Sequence, residues 1–280
     1  MTSHSRGPTI GVFDSGVGGL TVLRSLLERI PDAAYLYFGD TARLPYGSKS
    51  AVTVAHYAVG AVRYLEDQGA DLLVIACNTA TALALDEIKA AAGVEVIGVI
   101  EPGAEAAAAG SRNKKVVVIG TAATIGSHAY RRALEARKVA VCEKACPLFV
   151  PLVEEGWVDH PVTEQVAKIY LSEAFCGDAR DADVLVLGCT HYPLIKPLLR
   201  RVAPEHVAIV DSAESTALEV ARKLQVPLPS SEKSSSEKKE WRGGPKVRFF
   251  ATDSAEKFRR MGTRFLGLPV EDVVHVDLKE

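Results

Sequence analysis

The chain has 280 residues, 48% of them hydrophobic and 24% charged, which is long enough for two soluble domains that each bury a core. A formal net charge of −2, from 33 basic and 35 acidic residues, argues against a general nucleic-acid binder. Residues 1–9 are polar with no signal-peptide core, and no apolar run is long enough to span a membrane, so a cytoplasmic protein without membrane partners is expected.

In chain order, strand-like apolar runs fall at Thr9–Phe13, Ala34–Phe38, Leu72–Ala76, Val94–Ile100, Lys115–Gly120, Val184–Gly188, Val207–Val210 and Val247–Ala251. Helix-like stretches lie between most of them, at Leu20–Ile30, Ala51–Gln68, Thr79–Ala92, Tyr130–Arg137 and Val162–Phe175. Such alternation predicts an α/β protein with mainly parallel sheets flanked by helices. The Ser/Lys/Glu-rich stretch 227–245 has almost no apolar residues and reads as a disordered loop.

A weak repeat pairs Leu73–Ala80, LVIACNTA, with Leu185–Tyr192, LVLGCTHY. Each is an apolar run, a small residue, a cysteine and polar residues opening a helix. The repeat predicts two similar domains with the active site in the cleft between them. Strands continue after the second cysteine, so the chain should return to its first domain. The expected division is 1–98 plus 211–280 against 99–210. Ligands of open α/β sheets bind at the carboxyl ends of strands, and both cysteines lie at such ends.

The five cysteines are widely spread and suggest no disulfide framework. Cys142, Cys146 and Cys176 read as small buried hydrophobes. Cys77 and Cys189 each precede a helix start, whose positive end should lower a thiol pKa. Zinc at Cys142-x3-Cys146 lacks a second ligand pair. The turn Asp14-Ser15-Gly16-Val17-Gly18-Gly19 matches neither a dinucleotide fingerprint nor a P-loop. It reads as a carboxylate or small-anion site whose glycines let backbone approach the ligand. Asp14, charged at a buried strand end, needs a partner or a task. Asn78, Thr79, Thr121, Thr124 and Thr190 can cap helices and bind ligand. Pro45-Tyr46-Gly47 is a turn signal. Glu154 on its own reads as a solvated strand end, whereas His191, two residues from Cys189, reads as functional.

Together FDSGVGGLTV, GDTARLPYG, IACNTATA, CPLFVPLVEEG and GCTHYP resemble the glutamate racemases of the aspartate/glutamate racemase superfamily. The resemblance implies that Cys77 and Cys189 are the catalytic thiols, assisted by Asp14 and His191 respectively, with Glu154 a further acid near the second thiol. It implies substrate contacts from Asp14, Ser15, Pro45, Tyr46, Gly47, Asn78, Thr79, Thr121, Thr124, Thr190 and His191. It also implies no pyridoxal phosphate, metal or nucleotide, and D-glutamate supply for peptidoglycan. Two groups on opposite faces of the α-carbon can exchange its proton without crossing the substrate plane. The rival activities are racemisation of aspartate or another acidic amino acid, hydrolysis by Cys189 with His191, and binding without catalysis. The expected partner is the amino acid alone, with homodimerisation left open.

Overall fold

The computed structural model describes residues 7–226 and 247–278; the stretch expected to be a disordered loop lies outside them. Among the described residues, ten strands form two parallel sheets. The first holds β1 (Thr9–Asp14), β2 (Ala34–Gly39), β3 (Leu72–Ile75), β4 (Glu95–Gly98), β9 (Val247–Ala251) and β10 (Val273–His275), in the order β10-β9-β2-β1-β3-β4. The second holds β5 (Lys115–Gly120), β6 (Ala140–Ala145), β7 (Val184–Gly188) and β8 (Ala208–Asp211), in the order β6-β5-β7-β8. Every strand pair is parallel. The core orders β2-β1-β3-β4 and β6-β5-β7-β8 are the same topology twice, which accounts for the sequence repeat.

Helices cover the sheets: α1 (Leu20–Arg29), α2 (Ala51–Asp67), α3 (Asn78–Ala91), α4 (Ile100–Gly110), α5 (Ala122–Gly126), α6 (Ala129–Glu135), α7 (Phe149–Glu154), α8 (Pro161–Ala174), α9 (Lys196–Val202), α10 (Ser212–Lys223) and α11 (Ala255–Leu266). The central strands are apolar on both faces because both faces are covered. Alternate residues of β1 divide between two cores. Ile10 and Val12 pack with α1 residues Leu23 and Leu26, while Phe13 packs with Val62 and Leu65 of α2. Burying each such side chain contributes about 1.5–3 kcal/mol.

All eight strands read from the sequence are present, but β6 and β10 are additional. The run expected to extend as strand to Ile100 ends at Gly98, and Ile100 opens α4 instead. The segment around Glu154 is helical, not a strand end, because Phe149 packs edge-on against Tyr170 and Tyr192.

Each sheet places its crevice between two strands that diverge in chain direction. After β1 the chain goes to β2 on one side, then crosses to β3 on the other. After β5 it goes to β6, then crosses to β7. Ligand crevices form at the carboxyl ends at such switch points. Ser15 and Cys77 follow β1 and β3; Thr121 and Cys189 follow β5 and β7.

Candidate active site

The two switch points open into one cavity of about 580 Å³. Ser15, Pro45, Tyr46, Gly47, Cys77, Asn78 and Thr79 line it from the first sheet's side, and Thr121, Glu154, Cys189, Thr190 and His191 from the second's. Asp14 and Thr124 stand behind this wall. Thr124 Oγ1 accepts from Thr121 Oγ1 at 2.9 Å and pairs with Thr79 Oγ1 at 3.3 Å, and Thr79 meets Thr121 at 3.1 Å. Hydroxyls from α3 and from the start of α5 therefore interlock across the cleft.

Cys77 and Cys189 are both buried, and their surroundings differ. Cys77 caps α3, its sulfur accepting from the Ala80 amide at 3.4 Å and lying 3.6 Å from Ser15 Oγ. The expected lowering of its pKa does not occur. Burial, then the Asp14 charge, push the thiol up to about 12, and the Ala80 amide and Ser15 offset only part of this. Cys189 does not open an α-helix. The chain behind it makes a 3₁₀ turn at Tyr192–Ile195 before α9 begins.

His191 interacts with Cys189 and is held by Glu154, with Nε2 to Oε1 at 3.0 Å. Phe265 of α11 packs edge-on against the ring at 5.0 Å between centroids. Burial pulls the imidazole down, but interaction with Cys189 and Glu154 outweighs it and the net pKa rises to about 10. Burial pushes the Glu154 carboxyl up, yet the His191 contact wins and its pKa is lowered. Asp14 is wholly buried; burial raises its pKa against the opposing pull of His191 and the Gly16 and Gly19 amides. Its Oδ2 accepts from the Gly16 amide at 2.8 Å, while Oδ1 has no partner.

Gly18 of the first turn is required by packing. A Cβ on Gly18 would lie 2.2 Å from Thr190 Oγ1 and 2.6 Å from His191 Nδ1. Gly18 thus lets the β1 turn press directly against the cysteine loop of the other sheet. Two of the remaining cysteines also depart from the buried reading: Cys146 is buried, but Cys142 is half-buried and Cys176 exposed. Among the described residues no group of three or more His, Cys, Asp or Glu is placed to hold a metal. No described helix is long and apolar enough to cross a membrane.

Lys257, Pro147, Val150 and Pro151 also line the cavity and escaped the sequence reading. Lys257 carries no local signal, since it is one of several cations on the amphipathic α11. Tyr46 was found, but its anchor was not: its hydroxyl donates to the buried Asp40 Oδ2 at 2.6 Å, and Asp40 also accepts from Arg43 and Thr252.

A pair of buried thiols, facing one cavity from the switch points of two duplicated sheets, defines the class of protein. Residues 10–220 match the family model described as Asp/Glu/Hydantoin racemase, and the chain belongs to that family. It is 62% identical to a glutamate racemase of Koribacter versatilis (strain Ellin345), over 97% of this chain and 98% of that one. Among solved structures it resembles a glutamate racemase isoform from Bacillus anthracis, with a TM-score of 0.86, 37% identity and 98% of each chain covered. It also resembles the glutamate racemase from Francisella tularensis subsp. tularensis SCHU S4 in complex with D-glutamate, with a TM-score of 0.82, 36% identity and 98% of each chain covered.

Proposed function

We propose that this chain interconverts L- and D-glutamate by a two-base mechanism in which Cys77 and Cys189 exchange the roles of acid and base. The observation that carries this reading is the placement of both buried thiols on one cavity, each at the strand end of a different sheet. In this reading residues 1–98 with 211–280 form one domain and 99–210 the other.

In one direction the Cys77 thiolate takes the α-proton of D-glutamate. The C–H electron pair moves toward the α-carboxylate, and Cys189 delivers its thiol proton to the opposite face. The thiols end with exchanged protonation, and L-glutamate runs the sequence backwards. Burial disfavours a thiolate at Cys77, so the ammonium group of the arriving amino acid supplies the compensating positive charge. His191, cationic beside Glu154, gives Cys189 its counter-charge. Amide and hydroxyl donors at Ser15, Asn78, Thr79, Thr121 and Thr190 receive the charge that builds on the α-carboxylate. Asp14 and Thr124 act from behind the wall, Asp14 on the Ser15 turn and Thr124 on the Thr79 and Thr121 hydroxyls. Pro45, Tyr46 and Gly47 form the side wall.

The chemistry uses no cofactor, and its D-glutamate supplies peptidoglycan synthesis in the cytoplasm. Incubation with pure L- and D-glutamate, and separately with the aspartate enantiomers, followed by chiral separation, tests the reading. Racemisation of glutamate in both directions is expected; preference for aspartate overturns the substrate assignment.

A further inference from the structure

Asn78 is 2% exposed and lines the cavity, yet its side-chain Nδ2 has no hydrogen-bond partner. Buried amide donors are rarely left unpaired, and an orphan on a cavity wall is a donor kept for a ligand. Its other end is occupied. Tyr130 Oη donates to Asn78 Oδ1 at 2.8 Å. Tyr130 belongs to α6, on the second sheet, whereas Asn78 opens α3 on the first. The contact therefore spans the cleft.

We infer that Tyr130 is a positioning residue for racemisation: by donating to Asn78 Oδ1, its hydroxyl turns the amide NH2 into the cavity to receive a substrate carboxylate. The inference rests on the racemase reading. An asparagine amide can face either way, and the flip exchanges an acceptor for a donor. With Oδ1 toward the cavity, the side chain would repel an arriving carboxylate. With its hydrogen directed at Asn78, the phenol selects the oxygen and leaves the NH2 to the cavity. Burial pushes the Tyr130 pKa up, so the hydroxyl stays protonated throughout the working range. The ring itself has little freedom. A Cβ on Gly188 would lie 3.0 Å from Tyr130 Cε2, and one on Gly103 would lie 3.3 Å from Oη. Tyr130 is 0% exposed, so the hydroxyl is presented from a fixed wall. Because the donor and the amide sit on opposite sheets, the amide is oriented only when the sheets are closed on each other.

Tyr130→Phe keeps the ring and deletes the donor. The expected result is a fall in kcat/KM for glutamate of about five- to tenfold in both directions, the size of one hydrogen bond. In an Asn78→Ala background the same change should have no further effect, because the group it orients is gone. Asn78→Asp supplies a second reading, since it places a carboxylate oxygen where the NH2 stands. It should bind D-glutamate more weakly than Asn78→Ala by calorimetry. Multiplying effects of Tyr130→Phe and Asn78→Ala, or an Asn78→Asp variant that binds as well as Asn78→Ala, overturns the inference. Inactive wild-type protein would overturn the racemase reading instead, and D-glutamate binding by the same variants would still decide the role of Tyr130.

Discussion

His191 Nε2 lies 3.0 Å from Glu154 Oε1 on the wall of the cavity. The contact makes the carboxylate a fixed partner of a buried imidazole that also interacts with Cys189, with Asp14 and Lys257 as the nearby charges. Folding raises this histidine from 6.5 to about 10. Between those values the folded chain binds more protons than the unfolded one, so this contribution to stability is complete below pH 6.5 and lost as pH rises toward 10. Glu154→Gln should flatten that decline in a thermal-melting series across pH 6.5–10. An unchanged slope would detach Glu154 from the imidazole.

Cys77→Ala and Cys189→Ala should each abolish turnover in both directions, by about 10²–10⁴-fold or more, since each thiol is an acid in one direction and a base in the other. D-glutamate should still bind, because the amides and hydroxyls remain. In deuterated water, newly formed product should carry α-deuterium while recovered substrate gains little early on. Full two-way activity in either variant would remove that cysteine from the reaction.

Gly18→Ala should cost about 1–3 kcal/mol of stability and depress activity, because the added methyl must displace Thr190 and His191. Denaturant unfolding and kcat/KM measure the two effects together. A stable, fully active variant would show that the turn can withdraw from the cysteine loop.

Thr124→Val should lower kcat and kcat/KM for glutamate by about fivefold, with a smaller change in KM. The hydroxyl lies behind the cavity wall and holds Thr79 and Thr121 in place, and its loss costs about 1 kcal/mol. A rise in KM with kcat unchanged would limit Thr124 to substrate binding.

The sheets were legible because their central strands are continuous apolar runs, buried on both faces. The edges were not. In β6, AVCEKA, charges interrupt the run and no residue is fully buried, while β10 has only three residues. The two thiols were legible through the repeat, which is a property of the duplicated topology. Their electrostatics were not, because burial and the Asp14 charge at Cys77 come from residues distant in sequence. Gly18 announced a close approach without naming what approaches. Lys257 and Tyr130 reach the site only through tertiary packing, and Glu154 became intelligible only when α7 carried it beneath His191.

The thiols have unlike neighbours: Cys77 faces the Ser15 hydroxyl and the Asp14 charge, Cys189 a histidine paired with Glu154. Mirror-image amino acids nevertheless have identical free energies in water. A racemase working on them has an equilibrium constant of one, whatever its active site looks like. The Haldane relation then requires the ratio of kcat to KM to be the same for both enantiomers. The chemical inequality of the two halves can therefore show itself only as compensated differences, with the enantiomer that binds more tightly turning over more slowly in the same proportion.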